Sequence, residues 1–129
     1  MLTLLLAACS PVISNPEVEA IQLGETWVFA YSEEPGSSMD ALSHGTAAQV
    51  DGCLQVGDAV VVWWPDQLAE VEEIVLAVEA GEAPELELGG GGMSLEEGAS
   101  AEDFPAAVRE HCTPTELWFS SGGEIGGEG

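Results

Sequence analysis

Gly52-Cys53-Leu54-Gln55-Val56-Gly57-Asp58-Ala59-Val60-Val61-Val62-Trp63-Trp64-Pro65 is the stretch that decides how this chain folds. The run 59–64 is rich in β-branched and aromatic residues and stops at Pro65, which has no N–H for a strand ladder and so marks an end or an edge. It is too short for an ordinary helix. Leu54-Gln55-Val56 is the expected partner strand, joined through Gly57-Asp58, because Gly57 tolerates the positive φ of a tight turn. The apolar run is continuous rather than alternating, so both strand faces should be covered, as in a barrel wall or a sandwich core. Trp63 and Trp64 point to opposite faces if the strand is regular, which leaves one indole as a candidate contact residue.

Upstream, residues 17–23 partly alternate and residues 26–31 form a second β-like run, with Gly24 between them, which suggests an opening hairpin. Residues 33–38 have turn chemistry, 39–42 suit a short helical turn, and 45–50 lead into the central hairpin as a strand. Downstream, residues 66–80 admit two readings. Leu68, Val71, Ile74, Val75 and Val78 fall at helical spacing with Glu70, Glu72, Glu73 and Glu79 elsewhere on the wheel. The uninterrupted run 74–78 equally suits a buried strand.

Glu85-Leu86-Glu87-Leu88 alternates and predicts a strand with one wet face. Gly89-Gly90-Gly91-Gly92 then predicts a flexible turn or bulge, after which 93–95 resume. A phosphate cradle would need a following helix and, for a P-loop, a lysine; neither is present. Asp103 can cap a short helix over 104–111, with Pro105 in its first turn and Arg109 and His111 at the end favoured by the dipole. Residues 116–119 read as a last strand.

The fold class expected is mainly β: a small single-domain β-barrel or sandwich of about six to eight short strands with one short helix near 104–111. The domain spans 21–119. Before it come a signal-like segment at 1–9 and an extended tether at 10–20, marked by Pro11 and Pro16. After it, the Gly- and Ser-rich residues 120–129 are expected to be a flexible, disordered tail.

The chain has 129 residues, 46% of them hydrophobic, which fits one folded domain. Its 24 acidic side chains face one basic one, Arg109, for a formal charge of −23. Nucleic acid is thereby excluded as a partner, since phosphate contacts need clustered Lys and Arg. Basic partners, cationic surfaces or divalent ions are attracted, although much of this charge simply keeps the protein soluble.

Met1-Leu2-Thr3-Leu4-Leu5-Leu6-Ala7-Ala8-Cys9-Ser10 has the form of a secretory signal: a short apolar run ending in small residues. No Lys or Arg precedes it, so the start of the signal is expected upstream, or the run is a buried N-terminal strand with an ordinary thiol. Leu6-Ala7-Ala8-Cys9 resembles the lipobox of bacterial lipoproteins. That resemblance implies a lipidated Cys9, an anchor in the bacterial cell membrane and an extracytoplasmic location.

With Cys9 assigned to the anchor, Cys53 and Cys112 remain as a pair that should be oxidised outside the cytoplasm. They lie 59 positions apart. Closing a loop of that length contributes about 4 kcal/mol in the chain-entropy model. A zinc site built from Cys53, Cys112, His44 and His111 is the sharper alternative, but the paired spacings of structural zinc sites are missing. His44 and His111 are more simply surface or capping residues.

No catalytic, metal or cofactor site is indicated. Acid–base chemistry would fall to carboxylates or to His44 and His111, and the sequence singles out no pair. Calcium has oxygen ligands in abundance but no EF-hand-like loop.

From Gly45 to Phe119 the order Gly52-Cys53-Leu54, Val62, Trp64-Pro65, the glycines 89–92, Cys112 and Trp118 resembles small domains of bacterial, especially actinobacterial, lipoproteins. The likeness covers about half the chain. It implies a compact β-fold, tilts 74–78 toward strand and supplies no activity. The function expected is a lipid-anchored binding or envelope-associated module, with a divalent-cation-binding surface protein or a carboxylate-based secreted enzyme as alternatives.

Overall fold

A computed structural model describes residues 17–35, 39–122 and 125–127. Strands β1 (Val18–Leu23) and β2 (Thr26–Tyr31) make the opening hairpin, and β3 (Ala41–Val50), β4 (Cys53–Val56) and β5 (Ala59–Trp63) follow as a meander. A 3-10 turn over Pro65–Gln67 leads into helix α1 (Leu68–Glu79). Then come β6 (Glu85–Ser94), helix α2 (Ala106–His111), β7 (Glu116–Ser120) and β8 (Gly126–Gly127).

Six strands run in a ring, β2-β4-β3-β6-β7-β5, which closes because β5 pairs back onto β2 and β4. β1 lies outside β2 and β8 lies on β6. The architecture is mainly β and barrel-like, as expected from the sequence, with helices added on both sides. The central hairpin turns at Gly57, whose φ of +62° is the left-handed conformation that glycine adopts without steric cost.

β5 is buried at every position because its two faces serve two cores. Val61 and Trp63 join Val28, Leu54, Leu86 and Leu88 in a core that α1 covers with Val71 and Val75. Val60 and Val62 face the other way, into a core of Phe29, Phe104, Val108, Leu117 and the two cysteines, under α2. The unbroken apolar run is thus the mark of a strand sandwiched between helices.

Several local expectations are corrected. Residues 68–79 are helical, against the tilt toward strand given by the resemblance. Val71 and Val75 are buried one turn apart while Glu73, which would share their face in a strand, is exposed, a pattern of helical rather than strand period. Ala41 and Leu42 belong to β3 instead of a helical turn, because they pair with Gly90 and Gly89. β6 runs straight through the glycine cluster, paired to β3 on one side and β7 on the other.

The last helix begins at Ala106, not at residue 104. Asp103 closes a separate 3-10 turn, where its Oδ2 accepts from the Ser100 N–H at 3.0 Å, and Pro105 precedes α2 in extended geometry. The boundaries of the domain also move. β1 takes in Val18, Glu19 and Ala20, which composition had placed in the tether. Ser120 completes β7, and Gly126 and Gly127 pair with Glu87 and Leu86, so part of the expected tail is strand. Glycine-rich composition hides this because the backbone, not the side chains, makes the contact. The remaining expectations for 1–9, Cys9 included, lie outside the described residues.

Candidate functional site

The two cysteines expected to pair are bonded to each other, with Cα atoms 6.3 Å apart across a separation of 59 residues. Cys53 begins β4 and Cys112 follows α2, so the bridge fastens α2 onto the central hairpin. Both are buried in the second core. Oxidation leaves these sulfurs no lone thiolate for a metal, which removes the zinc alternative. His111 stacks on Trp27 instead, with ring centroids 3.8 Å apart and planes inclined by 24°.

Trp63 and Trp64 do separate, but neither indole stands free. Trp63 is 1% exposed in the first core. Trp64 lies just past the strand end and is half-buried, its Nε1 donating to the Ser120 carbonyl at 2.7 Å. Gln67 fixes this corner: its Oε1 accepts from the Trp64 N–H at 2.9 Å and from Ser120 Oγ at 2.8 Å. These tryptophans build the scaffold rather than a contact face.

An open concave surface lies elsewhere, at the end of the ring where β3, the β4–β5 turn, β6 and β7 meet. A cleft of about 420 Å³ opens there, lined by His44, Asp58, Met93, Glu97, Glu116 and Trp118 among others. His44 Nε2 is 2.8 Å from Glu87 Oε2, an ion pair if the imidazole is protonated, and both side chains are well exposed, at 63% and 44%.

The glycine run explains how Trp118 reaches this position. Its Nε1 donates to the Gly89 carbonyl at 3.1 Å, and a Cβ at Gly92 would approach Trp118 Cε3 to 3.0 Å. The indole therefore lies against a strand stripped of side chains. Sequence reading missed Trp118 as a site residue. The signal was present as a glycine run opposite a tryptophan, but it becomes legible only once β6 and β7 are known to pair.

At the opposite end, Glu79 holds the β1–β2 turn. Its Oε2 accepts from Thr26 Oγ1 at 2.7 Å and from the Glu25 N–H at 2.9 Å, while Gln49 Nε2 donates to Thr26 Oγ1 at 2.7 Å. The Thr26 hydroxyl, and then the Glu25 amide, stabilise the carboxylate and hold its pKa below the ordinary 4.5. This cluster is a structural clasp, a chain of hydrogen bonds from Gln49 through Thr26 to Glu79.

Among the described residues no three His, Cys, Asp or Glu side chains converge to hold a metal, and no helix is long and apolar enough to cross a membrane. The cleft offers carboxylates and an indole, which suit a cationic group through Coulomb and cation–π attraction. Comparison with protein-family models, with curated proteins and with solved structures finds no match to this chain.

Proposed function

We propose that this chain is a lipid-anchored extracytoplasmic β-domain, held to the bacterial cell membrane through Cys9 and serving as a binding or envelope-associated module. The observation that supports it most is the buried Cys53–Cys112 bridge, because such bonds persist in oxidising compartments and are rare in the cytosol. The lipobox-like Leu6-Ala7-Ala8-Cys9 supplies the matching address. A charge of −23 turns the module away from nucleic acid and toward cationic partners. Mass spectrometry of the protein extracted from its native membrane tests the reading. A mature chain beginning at an acylated Cys9 is expected, and an unmodified Cys9 in a soluble fraction refutes the anchor.

One observation favours a second reading, a secreted enzyme: the His44–Glu87 pair at the edge of the cleft. A carboxylate beside an imidazole can orient a general base. Its solvent exposure works against this, since water competes for both partners. Tyr31 adds no acid, because burial pushes its hydroxyl above 10.0. Loss of a hydrolytic activity in a His44→Ala variant would establish this alternative.

A further inference from the structure

Among the described residues, one edge of β6 is left largely uncovered. On the side where β7 pairs with residues 90–94, residues 85–88 meet, of the described strands, the two-residue β8 alone, through Leu86↔Gly127 and Glu87↔Gly126. Next to this edge an apolar groove of about 200 Å³ runs between α1 and β6, floored by Ile74, Ala77, Pro84 and Leu86 and walled by Glu70 and Glu73. Ile125 lines one side of it and packs against the first core, and its N–H donates to Glu70 Oε1 at 3.5 Å.

The chain's own C-terminal segment thus shows what this surface accepts: an extended backbone paired antiparallel to β6, with one aliphatic side chain packed at the margin of the groove. Two strand residues and one isoleucine bury little, so the segment is held weakly. The groove walls are carboxylates, and a side chain at the register position of Gly126 would lie beside Glu87, with a Cβ 3.3 Å from Glu87 Oε1. Lys or Arg is favoured there, and this chain has a single basic residue to offer. A second copy of the chain is disfavoured by the repulsion between two bodies of charge −23.

We infer that the 85–88 edge of β6 and its groove form a β-augmentation site for an extended cationic peptide segment of a protein partner, which displaces residues 125–127. Backbone hydrogen bonds supply the pairing, the groove selects an aliphatic side chain, and Glu70, Glu73 and Glu87 select flanking cations. The inference rests on the reading of the chain as a binding module and is independent of its anchor.

The test uses the full chain and an acetylated pentapeptide of alternating lysine and isoleucine, with an equally charged N-methylated analogue that cannot form a ladder. The N-methylated peptide is expected to bind about fivefold or more weakly, since each lost hydrogen bond removes about 1 kcal/mol. Ile125→Asp, which loosens the competing segment, should tighten binding of the parent peptide, and Glu70→Gln with Glu73→Gln should weaken it. Hydrogen exchange should show new protection at residues 85–88. Equal affinity for the two peptides, or protection confined to the cleft at His44 and Trp118, would overturn the site while leaving a binding module. Absence of binding to either peptide would overturn both.

Discussion

Trp118 donates its indole N–H to the carbonyl of Gly89 across the β6–β7 pair, and Gly90 and Gly92, where a Cβ would come within 3.0 Å of the indole, leave room for the ring. Gly90 has a φ of +143° and a Cβ there would collide with the Phe119 carbonyl. Gly90→Ala therefore has to move β6 away from β7, and the expected loss is about 2 kcal/mol or more. Gly92→Ala meets Leu117 O and Trp118 Cε3 at 3.0 Å and should cost less, because the indole can shift. Urea denaturation of both variants checks the order. Equal midpoints for Gly90→Ala and the parent would show that the strand does not need its glycines.

The disulfide joins the second core to itself. Cys53→Ala with Cys112→Ala should lower stability by about 4 kcal/mol in the chain-entropy model, with some further loss from the missing sulfur contacts. Reductant should lower the urea midpoint of the parent and leave that of the double variant unchanged. Near-UV circular dichroism should register the change through Trp27, whose partner His111 is the residue before Cys112.

How much of this was readable from the sequence depended on what carried each contact. β5, the Gly57 turn and the Cys53–Cys112 pairing were legible because apolar side chains, a turn residue and a count of thiols announce them. Helix α1 was ambiguous, since the run from Ile74 to Val78 is apolar throughout and it is the exposure of Glu73, midway between the buried Val71 and Val75, that separates the periods. The continuity of β6 and the existence of β8 were hidden, because glycines pair through backbone alone. The cleft was hidden for another reason: His44, Asp58 and Trp118 come from three distant strands or turns, and ring closure brings them together. Trp63 and Trp64 show the converse error, with conspicuous aromatics that turn out to be scaffold.

Glu79 makes stability depend on acid. Its folded pKa lies below the ordinary 4.5, so its contribution is fully present above the unfolded value and is lost as pH falls through the depressed folded one. Protonation weakens its acceptance from Thr26 and from the Glu25 amide, releasing the β1–β2 turn. Melting temperatures recorded from pH 6 downward should fall more steeply for the parent than for Glu79→Gln below about pH 4.5. Parallel profiles would mean that the clasp carries no titratable stability.

Helix α1 yields the sharpest distinction between neighbouring residues. In a strand, Val75 and Leu76 would face opposite layers and both could be buried, as Val61 and Val62 are in β5. In the helix, Val75 points into the first core and is 1% exposed, whereas Leu76 is 62% exposed. Val75→Ala should therefore cost about 1–2 kcal/mol, as loss of buried methyls does. Leu76→Lys should stay within about 0.5 kcal/mol of the parent. A slight gain is expected, because Glu72 lies one turn earlier with the favourable order of charges and the whole chain carries −23. Chemical denaturation of the two variants decides the matter, since a costly Leu76→Lys would require that side chain to be buried and would return residues 74–78 to a strand.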